Sequence, residues 1–216
     1  MSDIVIDVCE SDVLSKFDPR NALADYYRLL EKENEAINLF ARSGKVSLSR
    51  LAAESLLPFF LLAQGEASCV SRETSPRQLS GQVKRYLDVG SGGGMPAIPF
   101  LITHEVESAT LVERTQKKTV ALDRMIVALN IEARIVSKNL DECRFNKLFD
   151  LVTVRQIRLT PHLLKAICRL LTPNGLLVYY SSLQSDFTQK TRYRTYLYRF
   201  DNRLPEKAFT LISLAN

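Results

Sequence analysis

Four of the chain's eight glycines fall within five positions, in the stretch YLDVGSGGGMPAIPF that opens at Tyr86. Glycine reaches positive φ at no steric cost and carries no Cβ, so a ligand can lie against bare backbone there. Tyr86, Leu87, Asp88 and Val89 read as a strand, and Pro96 suits the first turn of a helix. Strand, glycine-rich turn and helix in that order make a binding loop at the carboxyl end of a parallel strand. A dinucleotide fingerprint requires G-x-G-x-x-G. Counted from Gly90, its third glycine position is Met95. The pattern is instead D-x-G-x-G-x-G, with Asp88 ahead of Gly90, Gly92 and Gly94. An acid at this mouth repels a diphosphate and suits a cofactor that brings a positive amino group and no phosphate.

A second acid, Glu113 in ATLVER, stands 19 residues beyond Gly94 at the end of the next apolar run. It is placed to accept hydrogen bonds from both hydroxyls of a ribose, a feature that NAD enzymes share. Asp141, in SKNLDE after a third such run, can face the exocyclic amine of an adenine. S-adenosylmethionine is a cofactor of the required charge, and the glycine motif resembles the first motif of class I methyltransferases. The Pro-Asn-Gly turn of LLTPNGLLVYY is similar to a late turn of the same enzymes and bears on the fold more than on chemistry.

These residues need a sheet to hold them. After Arg85, strand-like runs at 86–89, 109–112, 133–136, 148–154 and 176–180 alternate with helical patterns, clearest at 115–129 and 161–171. Such alternation predicts an α/β doubly wound, mostly parallel sheet. The tail YRTYLYRFDNRLPEKAFTLISL reads as two strands joined by a polar turn, an antiparallel addition at one end. Upstream, apolar residues at three- and four-residue steps predict an amphipathic helix over 21–41. Ser47 is placed to cap a second helix that ends at Gln64–Gly65. The expected organisation is a helical amino-terminal cap over 1–63, a flexible polar linker over 64–84, and a methyltransferase domain over 85–216.

Composition narrows the partners. The net charge is +5, but residues 1–40 hold nine acids against four bases, so the remainder carries +10. A body of that charge suits a polyanion. Lys117, Lys118 and Arg124 follow Glu113 on the expected helix, Arg155 and Arg158 follow the fourth strand, and Arg192, Arg194 and Arg199 alternate with tyrosines. Alternation makes that last group a plain edge strand. Cys9, Cys69, Cys143 and Cys168 are scattered with only His104 and His162 to join them, which argues against a metal site or a disulfide framework. The acidic first residues lack the basic start of a signal peptide, and no apolar run is long enough to cross a membrane. A monomer in the reducing cytoplasm is expected.

The wording around the motifs is narrower than the fold requires. LDVGSGGGMPAIPFLI resembles the LDVGSGAGFPGIPLAI of the bacterial 16S ribosomal RNA guanine-N7 methyltransferases, the glucose-inhibited division protein B family. NEAINLFA is similar to that family's N-x-x-I-N-L-T-A, and FDLVTVRQI to its F-D-V-V-T-A-R-A, which sets Arg155 on the family's arginine. ESLLPFFLL stands where the family has D-S-L and apolar residues. The resemblance runs from about Tyr26 to the carboxyl terminus. It implies S-adenosylmethionine held by Gly90, Gly92, Gly94, Met95, Leu140, Asp141 and Arg155, with Glu113 on the ribose. It also implies methylation of a guanine N7 in 16S ribosomal RNA or the small subunit. The chain departs from the pattern at Leu51 for histidine, Glu54 for aspartate and Phe40 for threonine, and it lacks a lysine-glycine pair after the fifth strand.

The chemistry is compatible with this sequence. Guanine N7 offers a lone pair and no proton, so the reaction asks for alignment rather than a strong base. The chain has no Asn/Asp-Pro-Pro-aromatic motif for exocyclic amines and no Pro-Cys for cytosine C5, which leaves N7 or a ribose hydroxyl, and the resemblance favours N7. A non-catalytic RNA-binding or assembly relative, and a small-molecule methyltransferase, are the alternative readings.

Overall fold

The alternation after Arg85 folds into five parallel strands whose carboxyl ends stand level. In the computed structural model the described residues are 5–39, 47–65, 83–183, 191–203 and 205–215. Phe40 and most of the expected linker lie outside them. The elements run β1 (Val5–Asp7), α1 (Glu10–Phe17), α2 (Leu23–Ala36), α3 (Leu48–Gln64), β2 (Arg85–Val89), α4 (Ala97–Thr103), β3 (Ser108–Val112), α5 (Gln116–Ala128), β4 (Arg134–Val136), β5 (Phe149–Val154), α6 (Pro161–Cys168), β6 (Leu171–Tyr179), β7 (Thr191–Arg199) and β8 (Lys207–Leu214). The sheet order is β1-β7-β8-β6-β5-β2-β3-β4.

From β6 to β4 every pair is parallel, while β8 is antiparallel to both β6 and β7. The doubly wound, mostly parallel sheet with an antiparallel carboxyl-terminal strand is therefore the observed fold. Val89 pairs with Val112 and Val154, Val112 with Val136, and Val154 with Tyr179, so one line of strand ends faces one crevice. The chain fills β3 and β4 on one side of β2, then returns to β5 and β6 on the other. Ligands of open parallel sheets bind at such a reversal.

Strand alternation sends successive side chains to opposite faces. Tyr86, Leu111, Leu151 and Val178 pack under α1–α5, and Leu87, Val112, Val152 and Leu177 pack under α6. The long apolar helix α3 is buried from Ala52 to Leu62 and packs into the first of these cores. Its ends follow the expected signals: Ser47 Oγ accepts from the Arg50 N–H at 3.2 Å, and Gly65 takes φ +77°. Pro58 lacks the N–H that would meet the Glu54 carbonyl, one rung of the helix.

Several boundaries differ from expectation. Helix α2 stops at Ala36, five residues early, because Asn34 Oδ1 takes the Leu39 N–H at 2.8 Å and Ile37 is extended. Strand β6 begins at Leu171, inside the expected helix. Leu171 pairs with Phe149 and Leu176 with Leu151, so the Pro-Asn-Gly turn is a bulge within the strand. Strand β1 and helix α1 carry no clear sequence signal; three residues are too few to reveal alternation. Because β1 pairs with β7, the tyrosine-rich strand is not the sheet edge, and Asp7 pairs with Arg199. Tyr196 and Tyr198 are buried on the face that carries Arg192 and Arg194, rather than the face of Tyr193 and Thr195.

Candidate functional site

The glycine loop is tied to the end of β3 by its backbone. The N–H groups of Gly90 and Ser91 both donate to the Val112 carbonyl, at 2.7 and 3.1 Å. Gly90 and Gly92 take φ +77° and +53°. A Cβ on Gly90 would lie 2.1 Å from Ile157 Cδ1, whereas one on Gly92 would meet only the Gly90 carbonyl oxygen at 3.8 Å. So Gly90 lets the loop close onto the segment after β5, and Gly92 is the position that leaves open space. Gly94 is occupied differently again, since its Cβ would strike Ile98 in α4. The Met95–Pro96 bond is cis, and Pro96 precedes α4 rather than opening it.

The amino-terminal helices close the other side of the loop. Tyr26 donates its hydroxyl to the Gly93 carbonyl at 2.8 Å, and a Cβ on Gly93 would press on Leu30 and Leu39. Between these parts lies a pocket of about 600 Å³, a size that suits a small-molecule ligand. Gly90, Gly92, Met95, Glu113, Leu140, Asp141, Arg155 and Lys118 line it, joined by Leu30, Leu39, Leu51, Arg114, Lys138, Gln156, Ile157, Thr160 and His162. Asp88, Gly94, Lys117 and Arg158 do not line it.

Glu113 is 7% exposed, and each of its oxygens holds one backbone donor: Gly92 N–H at 3.0 Å and Thr115 N–H at 2.8 Å. A carboxylate has about four lone-pair sites, so each oxygen keeps capacity for a hydroxyl. The acid therefore shapes the loop as well as facing the pocket.

Asp88 does not sit at the mouth. Register opposite Thr153 turns its side chain under α1–α5, where it is 1% exposed. Tyr86 and Thr153 lie 2.6 Å apart, and the Thr153 hydroxyl donates to Asp88 Oδ1 at 2.5 Å. Asp88 Oδ2 is buried without a partner among the described residues. Burial pushes its pKa up to about 6, against the lowering hydrogen bonds from Thr153 and Ser91.

Arg155 reaches the pocket from the end of β5, but its guanidinium is held by α3. Nη1 donates to Leu51 O at 3.2 Å and Ser55 Oγ at 2.8 Å, and Nη2 to Glu54 Oε2 at 3.0 Å. Its charge is thus paired to a buried acid, and its own side chain is only 10% exposed. Arg124 pairs with Glu33 at 3.3 Å and serves the contact between α5 and α2. In contrast, Arg114, Lys117, Lys118, Lys138 and Arg158 form no ion pair with the described residues. Asp141 sits in a turn of 3-10 helix, and His162 Nδ1 lies 3.9 Å from it with both side chains largely exposed.

Lys138 escapes a reading of the sequence although it stands two residues beyond an expected strand, close to the position that exposes Glu113. Leu30 and Leu39 carry no such signal, because a pocket wall and a helix core have the same apolar pattern.

A family model described as GidB, rRNA small subunit methyltransferase G, matches residues 20–207. The chain belongs to the GidB family. A GidB-family relative from Laribacter hongkongensis, named ribosomal RNA small subunit methyltransferase G, is 34% identical over 66% of this chain and 64% of its own. The relative of the same name from Mesomycoplasma hyopneumoniae strain J is 28% identical over 73% and 72%. The chain thus spans just under two thirds of the first relative's length. Among solved structures, an O-methyltransferase from Bacillus cereus in complex with SAH superposes with TM-score 0.65, at 12% identity over 95% of this chain and 96% of that one. A putative O-methyltransferase from Klebsiella pneumoniae gives 0.63, at 13% identity over 96% of each. At such identities the likeness speaks for the fold alone.

Proposed function

We propose that the chain transfers a methyl group from S-adenosylmethionine to N7 of a guanine in 16S ribosomal RNA, acting as a monomer in the cytoplasm. One observation carries this reading: in a GidB-family chain, the crevice at the sheet's reversal point joins an open Gly92 to a Glu113 with lone pairs to spare.

The residues fit the cofactor. Glu113 takes the ribose hydroxyls, Gly90, Gly92 and Met95 form the floor, and Leu140 and Asp141 take the adenine. Arg155 lies at the opposite end, beside Leu51 and Gln156, where the amino-acid part would be held. When bound, S-adenosylmethionine supplies an electrophilic methyl on a sulfonium sulfur. The buried Asp88 contributes negative potential beneath the loop without touching solvent. The chain's task is to hold the base in line and keep water out, which orientation alone can reward with about 7–11 kcal/mol. The apolar wall of Leu30, Leu39 and Leu51 suits that exclusion.

The RNA meets the rim. Arg114, Lys118 and Lys138 line the mouth, with Lys117 and Arg158 outside it as further phosphate-binding groups. No helix among the described residues is long and apolar enough to cross a membrane. Residues 1–63 act as a cap that completes the pocket, and 64–84 as its linker to the domain 85–216.

The test is transfer of labelled methyl groups to small-subunit particles and to naked 16S RNA, followed by nucleoside identification. 7-Methylguanosine is expected; label in another nucleoside, or none in either substrate, overturns the reading. Leu51, in place of the family's histidine on the pocket wall, gives one reason to weigh a non-catalytic RNA-binding relative. Such a relative need not bind S-adenosylhomocysteine, so calorimetric binding favours the enzyme.

A further inference from the structure

Glu54 is a buried carboxylate outside the roles assigned so far. It is 3% exposed on α3, and three basic groups converge on it: Arg155 Nη2 at 3.0 Å, Lys207 Nζ, and Arg50 Nε at 3.8 Å. One partner would satisfy a surface acid; a buried charge is retained at a cost unless its hydrogen bonds are complete. The neighbouring residue completes the arrangement. Ser55 Oγ accepts from Arg155 Nη1 while donating to the Leu51 carbonyl at 2.7 Å, and that same carbonyl accepts a second Nη1 bond. Tyr180 donates its hydroxyl to the Ser55 carbonyl, and its ring lies 5.9 Å from the guanidinium. Positions 51, 54 and 55 share one face of a helix turn, so a single turn of α3 grips Arg155 from behind.

An arginine has five N–H donors. Three are used by α3, and two remain on a group that lines the pocket. We infer that Glu54 is a positioning residue of the cofactor site. By fixing Arg155 from α3, it aims the two remaining N–H groups at the carboxylate of the cofactor's amino-acid end. The inference rests on the methyltransferase reading above. It makes α3 part of the binding machinery rather than only a cover.

The test compares two ligands by calorimetry on the full chain. S-adenosylhomocysteine carries the amino-acid carboxylate, and methylthioadenosine lacks it. Glu54→Gln keeps the shape and removes the charge. It should weaken S-adenosylhomocysteine about tenfold and leave methylthioadenosine within about twofold of the unaltered protein, the loss of one charge-assisted arrangement. Equal losses for both ligands, or none for either, overturn the inference, since a merely structural Glu54 would not distinguish them. Thermal melting checks that the variant folds. Should it fail to melt cooperatively, Glu54→Asp, which keeps the charge and shortens its reach to Arg155, is judged by the same criterion. If the unaltered protein binds neither ligand, the methyltransferase reading itself fails, a result distinct from the one aimed at Glu54.

Discussion

The carboxylate of Glu113 accepts the backbone N–H of Gly92 at 3.0 Å, across 21 positions of chain. The end of one strand thereby holds the turn that follows its neighbour. Its other oxygen holds Thr115 at the start of α5, so this acid fixes two backbone segments as well as facing the pocket.

Glu113→Ala should therefore weaken S-adenosylhomocysteine by about 1.5–3 kcal/mol, the scale of hydrogen bonds to a charged group. Glu113→Gln should also lose affinity, because an amide N–H₂ turned toward Gly92 or Thr115 would face a donor. Calorimetry reads both, and unchanged affinity in either would remove Glu113 from the site.

The glycines should separate into two kinds. Gly90→Ala drives a methyl into Ile157 and should lower unfolding stability by roughly 1–3 kcal/mol, the cost of overpacking. Gly92→Ala adds a methyl to open space at the pocket wall. It should cost about 1 kcal/mol of stability, from strain at positive φ, yet lose most cofactor affinity. Urea denaturation and calorimetry on the pair check this; equal effects on both readouts would contradict it.

Two buried groups should oppose each other in acid. Burial raises Asp88 to about 6. Between its ordinary value and about 6, the folded state keeps a proton that the unfolded chain has lost. Stability on this account falls as pH rises, by on the order of 3 kcal/mol. Burial among Phe17, Phe59 and Phe100 lowers His104 to about 4. From about 4 to its ordinary 6.5 the unfolded chain holds the extra proton, so stability rises with pH by a similar amount, on the order of 3 kcal/mol. The two trends largely cancel. Asp88→Asn should gain on the unaltered protein as pH rises from 4 to 7, by about 2–3 kcal/mol, as read by urea unfolding at several pH values. A constant difference across that range would contradict it.

The basic rim should be recognisable by salt. Replacing Arg114, Lys118 or Lys138 with glutamine should weaken RNA binding and reduce the slope of log affinity against log salt by about 0.7–0.9 for each phosphate left without its cation. Arg192 and Arg194, on β7 and away from the pocket, should leave that slope unchanged. A filter-binding titration across salt concentrations would show the contrast, and a slope that moved with Arg192 would relocate the footprint.

The strands of the parallel sheet are legible in the sequence because buried parallel strands are short apolar runs between polar turns. The glycine loop and Glu113 are legible because four glycines cluster directly after one apolar run and an acid ends the next. Sequence order alone puts Asp88 at the mouth, since it does not say which face of β2 a residue takes until the register with Thr153 is known. The grip of α3 on Arg155 is not legible either. The partners Leu51, Glu54 and Ser55 lie about a hundred residues away, and no local pattern joins them. Leu30 and Leu39 are hidden for a similar reason, because only the packing onto Gly93 separates them from ordinary core.

Strand β1 is stitched to β7, with Asp7 bonded to Arg199 across 192 positions, and Lys207 clasps Glu54 across 153. During synthesis the glycine loop and Arg155 emerge from the ribosome well before these late partners exist. A truncated product ending after β6 would leave that strand's flank bare, β1 without a mate, and the buried Glu54 short of one cation. Pairing of β7 and β8 is thus built into the assembly of the crevice, and copies that stop before them should be idle.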